Sequence, residues 1–291
     1  APPFMGGRAT PEPSLEELAG QRTGVEVIPH TTTSAHKAEA ALLEMLEAGT
    51  PALLQVDMGY LPYFDFGGQE YHFGGHVVVA CGYDPATREV LIADRDATLH
   101  PVSWEALAQA RGSTHKPFPP KHRWCSFNFT HRHPPQPHAI FTAIERQVDG
   151  MLHPPISNFG VRGIRKTAQL VPHWHETLAP DALKWALFNS YIFISPVGGS
   201  GGGMFRYMFS RFLHEAAAIT GCDELADSGR AFERIGDAWA QVGDWFKAVS
   251  EVDDPAARLA ECKLPLEEIA ALEGEAWARL DEIVQAEGMA M

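Results

Sequence analysis

The chain has 291 residues, 45% of them hydrophobic and 10% aromatic, and a formal net charge of −14. That length holds two domains of ordinary size, the apolar share excludes a disordered chain, and no apolar run reaches the length of a membrane span. The negative balance argues against a nucleic-acid partner, because phosphate binding needs a basic surface; it suits cationic substrates, although acidity is also ordinary among globular proteins.

Residues 14–18 begin a short helix and 25–28 a strand. An amphipathic helix is predicted over 34–48, with Ser34 as its cap, Leu42, Leu43 and Leu46 as its apolar stripe, and Gly49 and Pro51 ending it. Residues 51–58, PALLQVDM, read as a buried strand. The run GYLPYFDFGGQEYHF that follows is irregular and aromatic, a loop over a pocket mouth. Tyr60, Tyr63, Phe64 and Tyr71 in or beside it either contact a substrate or cover the core.

The next stretch, HFGGHVVVACGYDPATREVLIADR, carries the chemistry. Val77, Val78 and Val79 form one strand, Gly82, Asp84 and Pro85 a turn, and Val90, Leu91 and Ile92 the return strand. His76 opens the first strand and Asp94 closes the second, so an antiparallel pairing brings the two side chains within reach. A carboxylate on one ring nitrogen fixes the imidazole tautomer and leaves the other nitrogen as a base, the orienting arrangement of a catalytic triad. The plainer alternative is that the pair satisfies polar groups at a sheet end. Glycines at 74 and 75 allow a ligand or another backbone segment to come close. His72 lies four residues before His76, but the intervening glycines argue against the helix that would make the two a metal pair.

A helix over 102–111, starting at Ser103, leads through the proline-stiffened segment 116–123 to a strand over 124–129. The run THRHPPQPHA then breaks all periodicity, which places a domain boundary near residue 131 and two domains at 1–130 and 131–291. Its histidines, His131, His133 and His138, read as a solvated linker and not as a metal site. Beyond it the period is helical: Phe141, Ile144 and Val148 share a face, residues 179–194 form a helix, and Phe205, Phe209, Phe212 and Ala216 stripe another over 204–219, with Arg206 and Arg211 away from that stripe. Segments 223–250 and 264–287 bury Trp239, Trp245, Leu272 and Trp277. Four to six helices result.

Within this half GGSGGGMFR, residues 198–206, opens a helix with glycines. It reads either as an anion site reinforced by Arg206, suited to a phosphopantetheine phosphate, or as a flexible interhelical loop. Arg162, Arg165 and Lys166 form a basic cluster, suited to an acidic carrier protein or simply solvated. The four cysteines, Cys81, Cys125, Cys222 and Cys262, lie far apart with no CxxC pair. That pattern is neither a zinc site nor a disulfide framework, and a reducing cytoplasm fits it. Cys81 and Cys125 are expected to be buried and inert. Cys81 is the fallback nucleophile, but five residues along the strand from His76 it faces the other way.

The segments LLQVDMGYLPYF, YHFGGHVVVACGYD, VLIADRD and SWEALAQARGSTHKPFPPKHRW resemble the butirosin biosynthesis protein H family over most of residues 4–128. Residues 150–250, with NFGVRGIRK and GGSGGGMFRYMFSRFLHEAA, resemble the helical domain that commonly follows it. The resemblance implies an α+β chain: a papain-like, cysteine-peptidase-type domain with an antiparallel sheet, followed by an α-helical domain. It implies a catalytic histidine at His76, an orienting aspartate at Asp94 and a cysteine nucleophile expected upstream of Ala1.

The activity expected is an acyltransferase. It moves an aminoacyl-type group from a carrier-protein thioester to an amine of a small natural product through a cysteine acyl-enzyme. Tyr60, Tyr63, His72, Gly75 and Arg206 are the candidate substrate contacts. No cofactor is expected beyond the phosphopantetheine of the donor; the partners are an acyl carrier protein and a small-molecule amine, with neither nucleic acid nor membrane. A cysteine peptidase or amidase uses the same parts with water as acceptor, and a noncatalytic carrier-binding scaffold uses the fold without them.

Overall fold

The computed structural model describes residues 13–65 and 70–290. Between Pro134 and Pro135 the chain divides into two compact units, one built on a sheet and one helical, so the architecture is α+β.

The first unit runs α1 (Leu15–Thr23), β1 (Glu26–His30), α2 (Ala35–Glu47), β2 (Ala52–Val56), β3 (His76–Asp84), β4 (Glu89–Ala93), β5 (Leu99–Ser103), α3 (Trp104–Gly112) and β6 (Trp124–Asn128). Its six strands form one antiparallel sheet in the order β1-β6-β2-β3-β4-β5. Alternation along the strands decides which face is buried. Leu54, Val56, Val78, Ala80, Val90, Ile92 and Val102 point to one side, where Leu42 and Leu46 of α2 and Leu107 and Ala110 of α3 close over them. Leu54 and Ile92 are fully buried, and each side chain contributes about 1.5–3 kcal/mol by leaving water. Val77 and Leu91 point the other way and are exposed.

Two strands escape or outrun the sequence pattern for the same reason. β5 contains Pro101 and β1 contains Pro29, and both are edge strands, where a missing N–H costs no ladder bond. Cys81, expected to be buried, is exposed. A bulge puts Ala80 opposite Ile92 and Gly82 opposite Leu91, so Cys81 between them has no counterpart on β4.

The second unit holds α4 (Pro137–Leu152), α5 (Gly160–Leu170), α6 (Pro180–Ile194), α7 (Arg206–Thr220), α8 (Asp223–Ser250) and α9 (Lys263–Ala290). α8 packs against α6, α7 and α9, and its Phe232, Trp239 and Phe246 lie at the centre of the core with Leu187, Leu213 and Trp277. Three expectations need correction here. α7 begins at Arg206, because Met204 and Phe205 take left-handed φ values of 51° and 69°. Its buried residues are Arg206, Ser210, Leu213, Ala216 and Ala217, so Ala216 is buried as expected and Arg206 points into the core, while Phe209 and Phe212 pack against the core only partly covered. Leu272 of α9 is exposed, and Trp245 is partly buried with its indole donating to Glu261. Among the described residues no helix is long and apolar enough to cross a membrane.

Candidate active site

The register of the central hairpin builds the site. Val79 pairs with Ala93 and Ala80 with Ile92, which sets Asp94 across from Val78, one pleat from His76 and on the same, helix-covered face. His76 Nε2 lies 2.8 Å from Asp94 Oδ2, with the side chains 15% and 4% exposed. Tyr63 OH donates to the same oxygen at 2.9 Å. His100 stacks on the Tyr63 ring at 4.1 Å and is itself bonded to Asp96 at 3.1 Å. Phe64 meets His76 edge-on, and the Arg95 guanidinium sits over Phe64 at 4.4 Å.

Burial alone would raise the Asp94 carboxyl, but the His76 hydrogen bond and charge, then Tyr63 and Arg95, outweigh it and hold the group below the usual range. Asp94 is therefore a carboxylate at neutral pH. Burial, then the Asp94 charge, pushes the Tyr63 phenol up, so it remains a donor. With Nε2 engaged, Nδ1 is the ring nitrogen left to act as a base.

A second histidine–carboxylate pair lies beyond the end of β2. Asp57 is fully buried and accepts from Gly59 N, Phe73 N, Ser113 Oγ and His72 Nδ1, the last at 3.0 Å. Burial would raise this carboxyl too, and the Ser113, Gly59, His72 and Phe73 hydrogen bonds together lower it. His72 stacks on His115 at 3.5 Å with the rings 2° apart, and Tyr60 lies 5.2 Å from His72. Segment 113–122 straps this end of the sheet. A Cβ on Gly74 would fall 2.1 Å from Phe118 O, and one on Gly75 would fall 2.9 Å from the Phe73 ring. The close approach expected at Gly75 is thus made by the protein's own side chain. Asp57, Ser113, His115 and His100 were missed by sequence reasoning. An acid directly after the apolar run of β2 was the available signal for Asp57.

Arg206, expected to meet an anion, is committed elsewhere. Its Nε and Nη2 bond the Glu273 carboxylate at 2.7 and 3.0 Å, and Nη1 bonds Met204 O. Glu273 is fully buried and also accepts the indoles of Trp239 and Trp277. The glycine loop before it is pinned: Ser200 Oγ donates to Ser195 O and accepts from Gly202 N, and a Cβ on Gly203 would meet Gly236 at 2.8 Å. In the basic cluster, Arg162 bonds Pro154 O and Lys166 bonds Asn158, tying the preceding turn to α5, while Arg165 is exposed.

None of the four cysteines hydrogen-bonds His76. The Cys81 thiol bonds Val79 O, and burial pushes the Cys125 and Cys222 thiols up and that of Cys262 up to about 12. Among the described residues no cluster of three or more His, Cys, Asp or Glu side chains could hold a metal.

Two family models match the chain. Butirosin biosynthesis protein H, N-terminal, matches residues 1–95, and a domain of unknown function, DUF4872, matches residues 105–280. The second begins inside the sheet unit and takes in α3 and β6. No curated protein matches the chain.

Proposed function

From the premise that the chain belongs to the butirosin biosynthesis protein H-like family, we propose that it is an acyltransferase of antibiotic biosynthesis that works through a cysteine acyl-enzyme. The observation that carries the proposal is the His76–Asp94 pair, largely buried and with Nδ1 free of the carboxylate. On this reading the sheet unit is a papain-like domain. The nucleophile is a cysteine outside these 291 residues, since none of the four within them hydrogen-bonds His76 and three have thiols raised by burial.

His76 Nδ1 takes the thiol proton, and the thiolate attacks a thioester carbonyl. Collapse of the tetrahedral intermediate breaks the C–S bond to the donor, whose sulfur leaves with the proton from His76. A neutral amine then attacks the acyl-enzyme, His76 accepts the amine proton, and the cysteine thiolate leaves as the amide forms. The donor carries phosphopantetheine on an acyl carrier protein, and the acceptor is an amine of a small natural product. No metal enters any step.

The test uses the full-length gene product with an aminoacyl N-acetylcysteamine thioester, followed by intact mass. A mass increase equal to one acyl group, lost on adding an amine and absent in His76→Ala, supports the reading. No adduct, with no fast-reacting thiol, points to a noncatalytic carrier-binding scaffold. That second reading is favoured by the lack of a hydrogen bond between the chain's own cysteines and His76.

A further inference from the structure

We propose that Tyr63 is a positioning residue that acts on His76 through Asp94, and not a substrate contact. The inference rests on the reading of His76 as the acid–base group. Its geometric basis is one shared atom: His76 Nε2 and Tyr63 OH both bond Asp94 Oδ2, at 2.8 and 2.9 Å. Two donors on one oxygen compete for its charge, so the phenol weakens the carboxylate's hold on the imidazole while keeping that carboxylate ionised.

The Tyr63 ring has little freedom to do otherwise. His100 is stacked on one side at 4.1 Å, Phe64 lies at 4.9 Å, and the ring is packed against the core of the sheet unit. The charged and titratable groups around the pair come from three places. Arg95 and Asp96 follow β4, and Asp96 holds His100 of β5 through its ring nitrogen. His76 comes from β3. A phenol locked in this way cannot reach a substrate without abandoning Asp94.

In the reaction, an Asp94 that bonded His76 alone would stabilise the imidazolium more strongly and slow return of its proton to the leaving sulfur. Tyr63 moderates that bond. A packing role for the ring makes no such prediction, because Tyr63→Phe preserves the ring and removes only the hydroxyl.

The test is a carbon-detected NMR titration of the Asp94 carboxyl in the wild-type protein and in Tyr63→Phe, with no substrate present. Loss of a donor to the charged form raises the midpoint by about half a unit to one unit, a three- to tenfold rise in proton affinity. Turnover should fall about tenfold in kcat with KM unchanged. An unchanged midpoint, or a raised KM with kcat intact, overturns the proposal. If the wild-type protein forms no acyl-enzyme, the proposed function fails, while the titration still decides whether Tyr63 acts on Asp94.

Discussion

Asp94→Asn changes the His76 pair by little more than one atom, and the structure bounds the outcome. The amide group can fill the Oδ2 position in two ways. With its oxygen there, it still accepts from His76 and Tyr63, the correct tautomer survives, and only the charge is lost. With its nitrogen there, it donates to Nε2, forces the ring proton onto Nδ1 and removes the base. The second case has a precedent in serine proteases, where the same substitution lowers kcat by about 10⁴ through the wrong tautomer. The Tyr63 hydroxyl hydrogen needs an acceptor and favours the first orientation, so the expected loss lies at about 10² to 10⁴, or about 2.7–5.5 kcal/mol. Adding Tyr63→Phe frees the amide to flip and moves the loss toward the upper figure. The assay is the rate of acyl-enzyme formation by intact mass. A rate for Asp94→Asn within threefold of wild type would refute the orienting role.

Asp57→Asn should reduce stability at neutral pH by about 1–3 kcal/mol, since its buried donors keep only a neutral partner. The Asp57 carboxyl is held below its ordinary range, so its contribution is present above the unfolded value and is lost as pH falls through the folded value; the wild-type and variant unfolding curves should converge in acid. Glu273→Ala leaves Arg206 as an unpaired buried cation and should cost about 3–5 kcal/mol, read as a lower urea midpoint. Alkylation of the native protein should label Cys81 and spare Cys125, Cys222 and Cys262 until denaturant is added; labelling of Cys125 in the native state would place β6 differently.

The hairpin that carries His76 and Asp94 was legible because its signals are local: a β-branched run, a Gly and Asp-Pro turn, and a second apolar run. β5 was not, because LHPVS has a proline at its centre and a single β-branched residue, and it is held as an edge strand by its pairing with β4. Arg206 misled for a related reason. Arg206 lies beside the apolar stripe of Phe209, Phe212 and Ala216, on the face of Ser210, Leu213 and Ala217, and a charged side chain in that place reads as solvated. Its partner, Glu273, lies 67 residues away, beyond any periodicity argument. Asp57 was overlooked because an acid at a strand end is ordinarily solvated. Its burial depends on Ser113 and the strap after α3, contacts that arise only once the sheet has formed.

The number of donors on each buried carboxylate separates framework from chemistry. Glu273 accepts from both arms of Arg206 and from two indoles, spread over both oxygens, and Asp57 accepts from two backbone amides, a hydroxyl and an imidazole. Groups so fully bonded resist movement and hold helices or strand ends in place. Among the described residues Asp94 takes two donors, both on Oδ2, and one of them is a partly exposed histidine, as exposed as His72. A carboxylate bonded on one oxygen to a partly exposed imidazole can follow a change in that ring's charge without breaking a network. That property is what an acid–base histidine requires of its partner, and under the proposed function it favours His76 over His72 as the base, although both rings touch an aspartate; the other His72 nitrogen also meets Glu70 at 3.4 Å. Exchange of the roles has a distinct signature: His72→Gln would then abolish acyl-enzyme formation while His76→Gln left it intact.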